Sequence, residues 1–183
     1  MTDIAPALID GVDVFAEQVS EVHSPYDGAT IGAVPACTTD DLDRAIAVAL
    51  DRHRCGPPPA FERAEILDRA AVLLAERHEE FAQSISSESA KPITTARVEA
   101  QRAVDPIRFS AAEARTFTGE MVPLDASSAG IGKIGFTKRV PIGVIGAISP
   151  FNFPLNLVCH KIAPAGAAGA TPVSTASTGW AIR

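Results

Sequence analysis

The 183 residues hold only three cysteines, Cys37, Cys55 and Cys159, an odd number with no short pair spacing. That excludes a disulfide framework and a cysteine-based zinc site. No apolar run reaches the ~18 residues that a membrane-spanning helix needs, so no membrane partner is expected. Basic residues are outnumbered, 16 Lys and Arg against 22 Asp and Glu, for a net charge of −6. Nucleic-acid partners call for basic patches, so none is expected. The first 22 residues contain no Lys or Arg at all, unlike a signal or transit peptide, and the expected address is cytoplasmic. Acidic residues stop at Asp125; beyond it the only charges are Lys133, Lys138, Arg139, Lys161 and Arg183. A stretch of that composition reads as surface to be covered by more chain or by another subunit. What is present, 46% hydrophobic and 21% charged residues, suits an ordinary globular protein with a sizeable core and no need of more than one domain.

Short alternating runs (Val12, Val14, Val22, Ile31, Val34) flank Ser24-Pro25-Tyr26-Asp27-Gly28, and Asp-Gly signals a turn, so residues 9–35 read as a β-hairpin or meander. Thr38, Thr39, Asp40 and Asp41 offer N-cap chemistry and first-turn carboxylates for a helix over 40–52. Gly56 and the prolines at 57–59 then make a stiff connector. From Ala60 the spacing is helical: Ala64, Leu67, Ala71, Leu74 and His78 share one stripe. The pattern weakens over 84–89 and closes at Lys91-Pro92. A third helix is expected over 94–117, kinked or split at Pro106. Glu88 and Glu99 read as single carboxylates on this helical scaffold. Residues 119–123 and 133–140 read as two strands, the second alternating Ile134, Phe136 and Lys138. Residues 130–135 spell G-x-G-x-x-G, but they follow a Ser-Ser-Ala-Gly loop and open a strand, the wrong context for a dinucleotide fingerprint.

Residues 139–168, RVPIGVIGAISPFNFPLNLVCHKIAPAGAA, organise the rest. An apolar, β-branched run at 143–148 predicts a buried strand. Ser149-Pro150 breaks it, and 155–163 reads as a helix, giving the first half of a βαβ crossover. Ligands of open α/β sheets gather beyond the carboxyl end of such a strand.

The run P-I-G-V-I-G-A-I-S-P-F-N-F-P-L-N-L-V-C-H-K-I-A-P-A closely resembles the core segment of the aldehyde dehydrogenase superfamily. The resemblance continues at lower density through 63–74, 88–92 and 119–123, although Ala90 stands where that family usually has Gly. It implies an α/β fold, the N-terminal part of that family's architecture: a helical layer, an incomplete Rossmann-like parallel sheet and a projecting β-hairpin. The corresponding division is 1–117 for the N-terminal strands and helices, 118–141 for an oligomerisation-type hairpin, and 142–183 for the first strand-helix unit of the dinucleotide-binding sheet. It further implies NAD or NADP as cofactor, a small aldehyde as substrate, and a homo-oligomer paired through the hairpin. No metal is expected.

Each candidate residue has two readings. From spacing, Asn152 can cap the helix that follows Pro154. The resemblance instead makes it a catalytic residue, its side-chain amide donating to the oxyanion that forms when a thiolate attacks an aldehyde carbonyl. Ile148, Ser149, Pro150 and Phe151 are a strand-to-helix turn or, by resemblance with Asn152, the backbone corner that meets the nicotinamide cofactor. Phe153, Leu157 and His160 fall at i, i+4 and i+7, one helix face. The resemblance turns that face toward the aldehyde, whereas a lone histidine on an apolar face is otherwise a satisfied core residue. Cys159 beside His160 is not a nucleophile-base pair, because neighbours at i, i+1 diverge by about 100° on a helix; it reads as packing.

After Gly169 the resemblance implies a strand ending in Lys-Pro, the lysine binding the adenosine ribose. Here the chain reads Thr171-Pro172-Val173 and then STASTGWAIR, without that lysine and without strand patterning, as a frameshift or premature stop would leave it. The family's later glycine-rich turn, general-base glutamate and nucleophilic cysteine fall beyond position 183. The expectation is an N-terminal portion of an aldehyde-oxidising enzyme, inactive alone. The alternative is a non-catalytic remnant or subunit-interaction module.

Overall fold

The computed structural model describes residues 4–176. Strands β1 (Ala7–Ile9) and β2 (Val12–Val14) form an antiparallel hairpin. Asp10 and Gly11 at its tip have φ of 56° and 72°, the two positive values that a tight two-residue turn requires. A second hairpin joins β3 (Val19–His23) to β4 (Thr30–Pro35), closed where the N–H of Gly28 donates to the carbonyl of Ser24 at 2.8 Å. Helix α1 (Thr39–Arg54) starts at a complete capping box: Thr38 Oγ1 accepts from the Asp41 N–H, and Asp41 Oδ2 accepts from the Thr38 N–H.

The helical block departs from its sequence reading at a break near Arg77, over 84–89 and at Pro106. The chain turns at Arg77, making two helices, α2 (Ala60–Glu76) and α3 (His78–Ser89), the second continuing helical through 84–89. Leu74, Ala82 and Ile85 keep helical spacing across the break, so periodicity cannot reveal it. Ala90 ends α3 in the left-handed region at φ 53°, a conformation that favours glycine. Helix α4 (Ile93–Thr116) runs without a split through Pro106, whose carbonyl accepts from Ser110 Oγ at 2.6 Å. Half of its buried residues are alanine (Ala96, Ala100, Ala103, Ala111, Ala114), and small side chains let α2 and α3 approach closely. Ile85 and Val104 are among the largest side chains wholly inside, each burial contributing ~1.5–3 kcal/mol.

The expected strands over 119–123 and 133–140 shrink to β5 (Met121–Val122) and β6 (Gly135–Phe136), paired antiparallel. Two single 3₁₀ turns, Leu124–Ala126 and Ser128–Gly130, fold the intervening loop back on itself. A Cβ on Gly130 would sit 1.7 Å from the Leu124 carbonyl oxygen, so only glycine fits. Beyond β6 the pairing carries on for one residue, the Thr137 N–H donating to the Glu120 carbonyl at 2.8 Å, and no regular ladder extends past it among the described residues.

Strand β7 (Val144–Ser149), helix α5 (Asn156–Ala167) and strand β8 (Thr171–Ala176) complete a βαβ unit with parallel register Val144↔Thr171 through Ser149↔Ala176. The start of the Ser/Thr-rich tail is therefore a strand, contrary to its patterning. Backbone pairing with β7 needs no apolar alternation, and Thr171, Val173 and Thr175 are β-branched. Residues 177–183 of that tail lie outside the described residues. Helices α1 and α5 both pack on this strand pair, and Leu155, Cys159 and Ala163 of the α5 segment join the core cluster of α2, α3 and α4. The fold is the α/β architecture expected: a helical layer, an unfinished parallel sheet and a short hairpin.

Candidate functional site

The corner between β7 and α5 occupies residues 150–155, at the carboxyl end of a parallel strand. Ser149 is buried, while Ile148 and Phe151 are 66% and 62% exposed, large apolar surfaces left open among the described residues. Asn152 is exposed; Phe153 and Leu157 are half-buried. The N–H of Leu157 donates to the Phe153 carbonyl at 3.1 Å, so Phe153, which precedes α5, stays one turn from Leu157. His160 is exposed, which removes its reading as a core residue.

Helix α5 has no cap from its own leading residues. Its first amides are taken from outside by Glu99 of α4, whose Oε1 accepts the N–H groups of Leu155 at 3.1 Å and Asn156 at 3.3 Å. Glu99 is 2% exposed, and its other oxygen pairs with Lys91 Nζ. Lys91 also donates to the main-chain oxygen of Asn152 at 2.9 Å, and its ammonium lies 4.2 Å from the Phe153 ring centroid. Such a buried carboxylate needs its counterion and donors, and here it has both. The capping reading of Asn152 is thus removed: Glu99 holds the helix end, and the Asn152 amide makes no hydrogen bond among the described residues.

Sequence reading missed Lys91 and Glu99 as parts of this corner. One signal was available. Glu99 shares a helix face with Ala96 and Ala103, both at 0% exposure, and a charge on such a face must be paired.

Cys159 is buried, and burial, with the negative charge of Glu99 adding to it, pushes its thiol up to about 11. It packs, as its position beside His160 suggests. Cys37 and Cys55 are exposed free thiols flanking α1. Two cavities lie away from the corner. One, of about 200 Å³, is lined by His53, Pro57, Arg63 and Gly169; the other, of about 480 Å³, lies within the β5–β6 hairpin. Among the described residues no helix is long and apolar enough to cross a membrane.

The sequence profile of the aldehyde dehydrogenase family matches residues 14–181. The chain is 42% identical over 149 residues to 3-sulfolactaldehyde dehydrogenase of Priestia megaterium, covering 81% of this chain and 31% of that protein. It is 36% identical over 164 residues to lactaldehyde dehydrogenase of Methanocaldococcus jannaschii, covering 88% and 34%. Aldehyde dehydrogenase 21 from Physcomitrella patens, solved with the reaction product succinate, superposes with a TM-score of 0.90 at 35% identity, over 95% of this chain and 37% of that one. The NADP-dependent glyceraldehyde-3-phosphate dehydrogenase of Bacillus halodurans, solved with NADP, gives 0.88 at 37% identity, over 93% and 37%. The chain spans about a third of the length of the curated relatives it matches. With these matches and the fold they share, the chain belongs to the aldehyde dehydrogenase family.

Proposed function

We propose that this chain supplies the oxyanion-binding amide and part of the nicotinamide-cofactor cradle of an NAD(P)-dependent oxidoreductase that converts an aldehyde to a carboxylic acid. The observation that carries it is the Asn152 amide, relieved of helix capping by Glu99 and left open at the mouth of α5. When a thiolate adds to the aldehyde carbonyl, the oxygen gains a full charge. An amide donor held in place for that oxygen is worth ~10²–10³ in rate. Aspartate at 152 could not donate.

The corner suits a flat nicotinamide ring: Ile148 and Phe151 present uncovered apolar faces beyond the end of a parallel strand. The cofactor, when bound, supplies the hydride acceptor, and these residues orient it and exclude water. Phe153, Leu157 and the exposed His160 stand on the aldehyde side. That suits a short polar substrate of the kind named for the relatives, 3-sulfolactaldehyde and lactaldehyde. Burial pushes the Cys159 thiol up to about 11, and Cys37 and Cys55 flank α1 rather than the corner, so none of the three is placed to supply the attacking thiolate and the chain alone is expected to be inactive. A cytoplasmic address goes with this reading. Exposed Met121, Ile134 and Phe136 on the hairpin support a second role, pairing with another subunit in a homo-oligomer.

The test replaces the matching segment of Priestia megaterium 3-sulfolactaldehyde dehydrogenase with this chain and follows NAD(P)H formation. The chimera is expected to turn over, the isolated chain not, and Asn152→Ala in the chimera to lower kcat ~10²–10³-fold. An active chimera indifferent to Asn152→Ala defeats the proposal.

A further inference from the structure

We propose that Lys91 and Glu99 are positioning residues for Asn152, a two-point clamp that fixes the direction of its amide and is anchored through Glu99 on the core helix α4. The inference rests on the oxyanion reading of Asn152 given above. Asn152 makes no side-chain hydrogen bond among the described residues, and its corner is neither helix nor strand. What anchors it is its main-chain oxygen, held by Lys91 Nζ at 2.9 Å. Three residues further on, Glu99 holds the N–H groups of Leu155 and Asn156. Both ends of the corner therefore hang from one ion pair, and Glu99 sits on the face of α4 whose neighbours Ala96 and Ala100 are buried to 1% or less. Fixing the carbonyl of residue 152 fixes its peptide plane and hence the bond from which the side chain departs.

The pairing has an electrostatic reason as well. A lone carboxylate at the base of an oxyanion site would oppose the charge that develops there. Lys91 cancels it, and its ammonium is itself held against the Phe153 ring. A point charge on a flexible stem can serve carboxylate, carbonyl and ring together. The glutamate alone would suffice to cap α5; the contact from Lys91 to Asn152 is what a capping role does not require.

The experiment uses the full chain, whose only asparagines are Asn152 and Asn156 and whose glutamines are Gln18, Gln83 and Gln101, so the side-chain amide signals in a ¹⁵N NMR spectrum are few. Lys91→Met is expected to shift and sharpen the Asn152 amide pair and to lower the heteronuclear NOE of the Asn152 and Phe153 backbone, leaving Gln83 and Gln101 unchanged. Lys91→Arg is expected to restore them. Glu99→Gln, the second variant, is expected to do the same more weakly. Asn152 signals that stay at their wild-type positions and order in both variants overturn the clamp, and failure of both variants to fold makes the pair fold support only and overturns it equally. In the chimera Lys91→Met is expected to lower kcat ~10–10²-fold with KM within about twofold, as misplacement of a catalytic group does. If Asn152→Ala there costs nothing while Lys91→Met has moved the Asn152 signals, the oxyanion reading fails and the clamp stands.

Discussion

Removing the Lys91 charge should cost more stability than neutralising Glu99, and the two costs should not add. Glu99 has a side chain with 0% exposure, so Lys91→Met leaves a carboxylate inside the protein with no counterion and only two amide donors on one oxygen. Stranding a buried partner of this kind costs ~3–5 kcal/mol. Glu99→Gln is milder. The amide oxygen still accepts from Leu155 and Asn156, and Lys91, 14% exposed, can turn its charge toward solvent at the expense of part of its hold on Asn152 and the Phe153 ring. That change is worth ~1–3 kcal/mol, the cost of a weakened charge-assisted bond. In the double variant no charge is stranded, so its cost should fall short of the sum by ~1.5 kcal/mol or more. Urea unfolding of the four proteins, followed by far-UV circular dichroism, measures the cycle. Additivity within ~0.5 kcal/mol, or Glu99→Gln costing more than Lys91→Met, refutes the reasoning that burial of the carboxylate sets the energetics.

Glu79 of α3 is held to about 2 by its two hydrogen bonds to Arg97 of α4, helped by Gln83. Its folded pKa is depressed, so the stabilisation is present above its ordinary value of 4.5 and lost as pH falls toward about 2. The Tm gap between wild type and Arg97→Met should shrink from pH 7 to pH 2.5, and a constant gap refutes it. Gly119→Ala places a Cβ 1.7 Å from the Thr137 carbonyl oxygen and should undo the β5–β6 pairing, read as faster exchange of the Thr137 N–H, which donates to Glu120 at 2.8 Å. Undisturbed exchange there shows that the hairpin has another anchor. Ellman's reagent should titrate two thiols in the folded chain, Cys37 and Cys55, with Cys159 reacting only after unfolding. A third fast thiol refutes the burial of Cys159.

Most of the fold was legible because its signals are local. The capping box at Thr38 and Asp41, the prolines after Gly56, and the apolar run ending at Ser149-Pro150 each act within a few residues. The structure places a helix start, a connector and a strand end there. The misses share a different cause. The break at Arg77 leaves the apolar period intact, so nothing in spacing marks it. The strand at Thr171–Ala176 exists because β7 lies beside it, and the strands expected over 119–123 and 133–140 shorten to the two residues each whose partners pair in regular register. Pairing is a property of two segments, and one segment's pattern cannot report the length of the other.

The same distinction explains the site. Asn152 was legible as a candidate, but the choice between cap and free amide depended on who else could reach the amides of Leu155 and Asn156. That competitor, Glu99, lies 56 positions away from Leu155 in the chain and on another helix. A helix end exposes N–H groups that must be satisfied by something. Once a remote carboxylate takes them, the nearest polar side chain is released for other work, and the remote carboxylate must in turn be neutralised. Lys91 meets that second demand and reaches the Asn152 carbonyl in doing so. The three residues are therefore linked by successive needs to satisfy buried charge and orphaned amides. A chain of that kind is visible in space and silent in the sequence, except for the one anomaly of a glutamate on an alanine face.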